Sequence, residues 1–196
     1  MTRNATDRTL NLKSSRVTEE DLIKACKKED RQAQRLIYER YSPTMFGVCK
    51  RYMKNVEDAE DAMIEGFFKV LTNINQYSGK GSFEGWIRRI MVNECLMALR
   101  KRHNFNLTVE IHPQMAKTNL TVQEELQAQD ILNLLDQLPT GYRTIFNLYV
   151  LEGYKHREIA DMLNISINTS KSQLILAKKR MQTLLQDVRY PGVSGS

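Results

Sequence analysis

The sequence predicts an all-α chain folded as two small helical domains joined by a flexible linker. Three observations predict it. Apolar residues recur at helical spacing on both sides of the chain's centre, no segment carries a strand-like alternation worth defending, and residues 104–120 break the pattern with Asn, Thr, His and Pro113. At 196 residues with 41% apolar content, the chain can bury one core or two small ones.

Residues 1–17 are polar and basic, without periodicity, and read as a mobile tail. Thr18-Glu19-Glu20-Asp21 resembles a capping box ahead of Leu22, Ile23 and Cys26, so the first domain begins at residue 18. A second helix is expected from Asp30 to Tyr41, with Pro43 restarting the chain as a third helix to Met53, because Pro is tolerated at a first helical position. Asn55 caps a helix to Gln76, whose Ala59, Ala62, Met63, Phe67, Val70, Leu71 and Ile74 form a broad apolar face. The loop Tyr77-Ser78-Gly79-Lys80-Gly81 ends it, and Ser82 caps a helix to about Arg102 that closes the first domain at residue 103. After the linker at 104–120, Thr121-Val122-Gln123-Glu124 is a second capping box opening a helix from Glu125 to Leu138, and the second domain runs over 121–187. Pro139 or Thr140 starts a helix through Leu151. Residues 188–196 read as a second flexible tail.

The most informative stretch runs from Gly153 to Arg180. Ile159, Ala160 and Leu163 sit at helical spacing, Asn164 and Ser166 bracket a turn, and Ser166 caps a following helix held down by Leu174, Ala177, Met181 and Leu184. That is a helix-turn-helix pattern ending in Lys178-Lys179-Arg180. A capped helix with Lys171, Ser172, Gln173, Lys178, Lys179 and Arg180 outward can enter a DNA major groove and meet phosphates and base edges. The same pattern also suits a helical hairpin with a solvated basic face.

The formal charge of +6 is unevenly placed: residues 1–103 hold 20 Lys+Arg against 14 Asp+Glu, and residues 104–196 hold 9 against 9. A second polyanion-contacting surface is therefore expected in the first half. No apolar run approaches bilayer-spanning length and the polar N-terminus lacks the core of a signal peptide, so a cytoplasmic protein without membrane insertion is expected. Cys26, Cys49 and Cys95 fit reduced, buried thiols. His103, His112 and His156 are scattered, and no nucleophile elbow, phosphate loop or metal-ligand spacing occurs; catalytic residues, metal and cofactor are all expected to be none. On helical spacing alone, Asp58, Asp61 and Glu65 form one acidic stripe at i, i+3 and i+7, open to a solvated or a partner-binding reading.

Three segments in order resemble the extracytoplasmic-function (ECF) group of bacterial RNA polymerase sigma factors, which keep only region 2 and region 4. They are Asp58-Ala59-Glu60-Asp61-Ala62 with Glu65 and Phe67-Phe68-Lys69; then Gly81-Ser82-Phe83 with Trp86-Ile87 and Ile90 through Asn93; then Leu138-Pro139, Arg143, Leu148, Gly153, Glu158-Ile159-Ala160, Leu163 and Thr169 through Ser172. The match covers about residues 18–185. The resemblance implies a region 2-like domain that binds core RNA polymerase through Asp58, Asp61, Glu65 and Phe68, and that opens the minus-10 promoter element. Tyr77, Lys80, Phe83, Arg88, Arg89, Asn93, Arg100 and Lys101 are its candidate DNA contacts. Trp86 reads as core because it shares a face with Ile90, Asn93 and Met97, which leaves Phe83 and the Tyr77 to Lys80 loop as stacking candidates. Arg88 and Arg89 cannot share one helix face, so one is expected on phosphate and the other in a structural role.

The region 4-like domain is implied to dock on the minus-35 duplex through its helix-turn-helix, with Gln173 a candidate adenine reader and Ile175 or Leu176 set to touch thymine methyls. The sequence departs from the family at Ile64, where Gln is frequent, and at Ser170 and Leu176, where Val and Arg are frequent. The resemblance implies promoter DNA, core RNA polymerase and an anti-sigma factor as partners. The alternative is a helix-turn-helix regulator with a partner- or ligand-sensing N-terminal domain, which would bind duplex alone as a dimer.

Overall fold

The computed structural model describes residues 17–102 and 133–189. Its elements are α1 (Glu19–Cys26), α2 (Arg31–Tyr52), α3 (Val56–Thr72), a 3-10 turn (Ile74–Gln76), α4 (Phe83–Arg102), α5 (Thr140–Phe146), a π-helical segment (Asn147–Leu151), α6 (His156–Leu163) and α7 (Ile167–Arg189). No strand occurs among the described residues, as the all-α expectation requires. The expected linker, the N-terminal tail up to residue 16, the capping box at Thr121 and most of the helix expected from Glu125 lie outside the described residues. Residues 133–136 of that helix are helical.

The local signals act through hydrogen bonds. The Thr18 hydroxyl accepts from the Asp21 N–H at 3.2 Å while the Asp21 carboxylate accepts from the Thr18 N–H at 3.4 Å, closing the capping box. Asn55 Oδ1 accepts from the Asp58 N–H at 2.8 Å, and Ser82 Oγ from the Gly85 N–H at 3.1 Å.

Pro43 does not restart the chain. It lies inside one continuous helix, α2. An interior Pro removes a hydrogen bond and costs about 3 kcal/mol. Burial offsets this: Ala33, Ile37, Tyr41, Met45, Val48, Cys49 and Tyr52 are all buried at three- and four-residue steps straight through the proline.

Two compact units form. The first comprises Met1–Cys49 and Glu60–Glu94. Its core joins Leu22, Ile37, Met45, Phe67, Val70, Phe83, Ile87 and Met91. A Cβ on Gly66 would stand 2.3 Å from the Met91 sulfur, so α3 and α4 approach where only a glycine fits without displacement. Lys69 Nζ and Glu94 Oε1 pair at 2.7 Å beside that approach.

The second unit comprises Lys50–Ala59 and Cys95–Ser196. Leu134, Leu135, Leu138, Met181 and Leu184 form one apolar cluster with Tyr142, Phe146 and Leu185 against it. The π-helical segment carries Asn147 and Leu148 into the interior. Within this unit the Arg143 guanidinium is buried and donates to Asp136 Oδ1 at 3.1 Å and to the Tyr52 carbonyl at 3.0 Å. Cys26, Cys49 and Cys95 are free and buried, and burial foremost pushes the Cys26 thiol up to about 11, a state of low reactivity at neutral pH.

Candidate nucleic-acid interface

The loop after the 3-10 turn is built by its two glycines, Gly79 at φ 79° and Gly81 at φ 84°, conformations open to residues without a Cβ. Tyr77 Oη donates across it to the Gly81 carbonyl at 2.7 Å, and Lys27 Nζ donates to the Tyr77 carbonyl at 2.8 Å. This clamp turns the Tyr77 ring inward, where it meets Phe83 at 5.0 Å between ring centroids.

Tyr77 and Phe83 are therefore core rings, and the expectation that they form the stacking platform is corrected. Phe83 is 0% exposed, because it starts the inward face continued by Ile87 and Met91 one turn and two turns later. Of the Trp86, Ile90, Asn93 and Met97 face, read from sequence as core, Asn93 and Met97 are exposed and Trp86 and Ile90 are half-buried. Trp86 is half-buried and stacked on Phe83 at 5.7 Å with 17° between planes, while Arg89 and Asn93 are exposed. Trp86, Arg89 and Asn93 stand at i, i+3 and i+7 on one face, and Lys80 is exposed in the loop that precedes the helix. Arg88 pairs with Glu84 at 3.0 Å, whereas no ion pair joins Arg89 to a carboxylate among the described residues. Arg100 and Lys101 are exposed at the end of α4, Arg100 donating to the Met162 carbonyl.

On α3, Asp61 and Glu65 are exposed and Asp58 is half-buried, so the acidic stripe faces water. Phe68 is 63% exposed and Ile64 57% exposed. In the sequence Ile64 stands out only as a departure from the Gln that is frequent there. Its exposure beside Phe68, among Glu57, Glu60, Asp61 and Glu65, makes an apolar pair framed by carboxylates, a surface fitted to an amphipathic basic partner.

The helix-turn-helix forms as its sequence dictates. Lys155 precedes α6, whose Glu158 carboxylate accepts from the Lys155 N–H at 2.7 Å. Asn164 ends α6 in the left-handed region at φ 54°. Ser166 Oγ accepts from the Thr169 N–H at 2.9 Å and starts α7. Ser170, Leu174, Ala177, Met181 and Leu184 are buried, and Asn168, Lys171, Ile175 and Lys179 are exposed on the opposite face.

Gln173 falls on the inner face. It is 4% exposed and its Oε1 has no hydrogen-bond partner, so its expected place at a base edge is corrected. The reason is helical phase: Gln173 stands four residues before Ala177, within the stripe that seats the helix. Ser172 is half-buried and its hydroxyl donates to the Thr169 carbonyl at 3.1 Å, while the Thr169 hydroxyl lies 2.9 Å from Ser166 Oγ. Lys171 and Lys179 are exposed as expected, and the Lys178 ammonium lies 6.0 Å above the Tyr149 ring. His156 Nδ1 sits 2.9 Å from Ser170 Oγ, and its ring stacks on Tyr149 at 4.5 Å. Burial first, then the charges of Lys171 and Lys178, hold His156 below the usual imidazole pKa.

Two family matches follow the order of these surfaces. Residues 37–105 match Sigma-70 region 2, and residues 128–181 match Sigma-70, region 4. Among curated relatives, the ECF RNA polymerase sigma factor SigW of Bacillus subtilis is 26% identical, covering 85% of this chain and 96% of that protein. The ECF RNA polymerase sigma-E factor of Escherichia coli K12 is 25% identical, covering 88% and 97%. A solved structure of the sigma factor RpoE with the anti-sigma factor NepR from Bartonella quintana aligns over 78% of this chain and 96% of its own, at 20% identity and a TM-score of 0.51.

Proposed function

The chain belongs to the extracytoplasmic-function group of RNA polymerase sigma factors, promoter-directing initiation factors, and from that premise we propose how its own residues divide the work. The supporting observation is the ordered pair of matches, region 2 then region 4, on segments that each present a separate polar surface. Residues 18–103 act as the region 2 domain and residues 121–187 as the region 4 domain, with 104–120 as the connection. The α3 face of Asp58, Asp61, Glu65, Phe68 and Ile64 docks on core RNA polymerase. Its exposed apolar pair loses water on contact, and its carboxylates set orientation and encounter rate.

Region 2 then captures the minus-10 element as a single strand. Extruding a base costs a few kcal/mol, and stacking on an aromatic returns roughly 1–3 kcal/mol per base. Trp86 is the platform, held flat by Phe83 beneath it, while Lys80, Arg89 and Asn93 hold backbone and base edges, with Lys101 on flanking phosphate. Region 4 docks α7 on the minus-35 duplex. Lys171, Lys178 and Lys179 supply phosphate contacts, each expected to add about 0.9 to the salt slope of binding. Chemistry belongs to the polymerase and this chain contributes no catalytic group. It works in the cytoplasm with the polymerase, and an anti-sigma factor sequesters it, as the solved relative in such a complex supports.

The test is transcription by purified core RNA polymerase on a promoter-library template, with and without this protein. Specific start sites that require the protein are expected. No stimulation, together with tight dimeric binding to duplex without core, would replace this reading by that of a free regulator.

A further inference from the structure

We infer that Asn168 reads adenine in the upstream duplex, its side-chain amide donating to N7 and accepting from N6 of one base in the major groove. This rests on the proposed docking of α7 on duplex DNA, and deepens it by naming the residue and the base.

The first two turns of α7 contain six polar side chains, Asn168 through Gln173. Four are already committed. The Thr169 hydroxyl is bonded with Ser166, Ser170 is buried against His156, the Ser172 hydroxyl is turned back on the Thr169 carbonyl, and Gln173 is inside the unit. Asn168 and Lys171 are exposed, and no hydrogen bond or ion pair joins either to another described residue. Of these two, Lys171 is donor-only: it can meet a phosphate or the acceptors of guanine, but it has no atom to receive the adenine N6 proton. Asn168 has both a donor and an acceptor at the spacing that adenine N7 and N6 present.

Position agrees with chemistry. Recognition helices contact base edges through their N-terminal residues, and Asn168 is the second residue of α7. It shares the outward face with Lys171 at i+3 and Ile175 at i+7, opposite the buried Ser170, Leu174 and Ala177. Gln173, the other carboxamide of these turns, is removed from competition by its burial.

The experiment uses the full chain assembled with core RNA polymerase, on an upstream element defined by library transcription. Each adenine of that element, on either strand, is replaced singly by 7-deazaadenine, which deletes the N7 acceptor and keeps the pairing edge. For the unaltered protein we expect one position to weaken promoter binding about tenfold. For Asn168→Ala, that substitution should have no further effect, and discrimination against other base pairs should relax at that position alone. Sensitivity surviving in Asn168→Ala, insensitivity at every adenine, or an element without adenine on either strand would overturn the inference while leaving the sigma-factor reading intact. A lack of protein-dependent start sites would instead overturn that reading, and the inference with it.

Discussion

The outer faces of α4 and α7 carry the two proposed DNA contacts, and they are supported in different ways. Trp86 on α4 lies on an aromatic stack, Phe83 below it and Tyr77 beside both, so its orientation depends on the core of the first unit. On α7 the outward Asn168, Lys171 and Ile175 share a helix with the inner stripe but do not touch it through side-chain hydrogen bonds among the described residues. A single-strand platform must be held rigid, because a loose ring returns less on stacking than it loses in entropy. A helix that enters a groove needs only its backbone fixed. Readout and stability should therefore be coupled in the first unit and separable in the second.

Phe83→Ala should break the comparison most severely. Deleting a fully buried ring leaves a cavity, and a loss of about 3–5 kcal/mol is expected in denaturant unfolding of the whole chain. Promoter opening should fail with it. A loss below about 1 kcal/mol with selective failure of opening would return Phe83 to the strand-contacting role that burial denies it. Trp86→Ala is the intermediate case. Binding of a single-stranded minus-10 oligonucleotide by the polymerase complex should drop about tenfold, with a smaller loss of stability than at Phe83. Equal binding by the variant would move the platform elsewhere.

Much of this was legible from sequence, and the misplaced side chains of α4 and α7 share one cause. Capping at Thr18, Asn55, Ser82 and Ser166 depends on residues within three positions of one another, and all four form as read. The exposure of Asp61, Glu65, Lys80, Lys171 and Lys179 and the loop turned by Gly79 and Gly81 were legible too, because charge and glycine placement are local. What sequence reading misplaced was helical phase. On α4 two apolar faces compete, Phe83-Ile87-Met91 and Trp86-Ile90-Met97, and only packing against α3 at Gly66 decides between them. On α7 the spacing predicts an inner stripe of Leu174, Ala177, Met181 and Leu184, and all four are buried. Extending it back by one turn places Ser170 and Gln173 inside and Asn168 outside, so that signal was present and polarity overrode it. Pro43 failed for a different reason: a local rule lost to the burial of seven side chains along α2.

Gln173→Leu sharpens the claim of separability on α7. The buried Oε1 lacks a partner, and replacing an unsatisfied polar group by an apolar one of similar shape is neutral or stabilising, here by up to about 1 kcal/mol. Duplex recognition by the polymerase complex should keep its base preferences at every upstream position. A lost preference for one base in Gln173→Leu would show that Gln173 leaves the interior to read DNA.

The smallest effect is expected at His156, where the two faces of the helix-turn-helix meet. Its imidazole is boxed by Ser170 and Tyr149, and desolvation together with Lys171 and Lys178 disfavours its proton in the folded state. The unfolded chain protonates this group near its ordinary value of 6.5, and the folded chain only at lower pH. Above that value neither state carries the proton and folding is unaffected. As pH falls through it, the unfolded state gains a proton the folded state refuses, and stability declines until the folded pKa is passed. Because the ring is only half-buried, solvent screens much of this and the decline is modest. Denaturant midpoints at pH 7.5 and pH 5.5, compared between the unaltered chain and His156→Gln, isolate the contribution, since every other titrating group is common to both. The variant should lose less stability across that interval. A variant that loses as much would place the His156 proton outside the folding equilibrium, and the link between Ser170 on the inner face and Lys171 on the outer one would then have no energetic consequence.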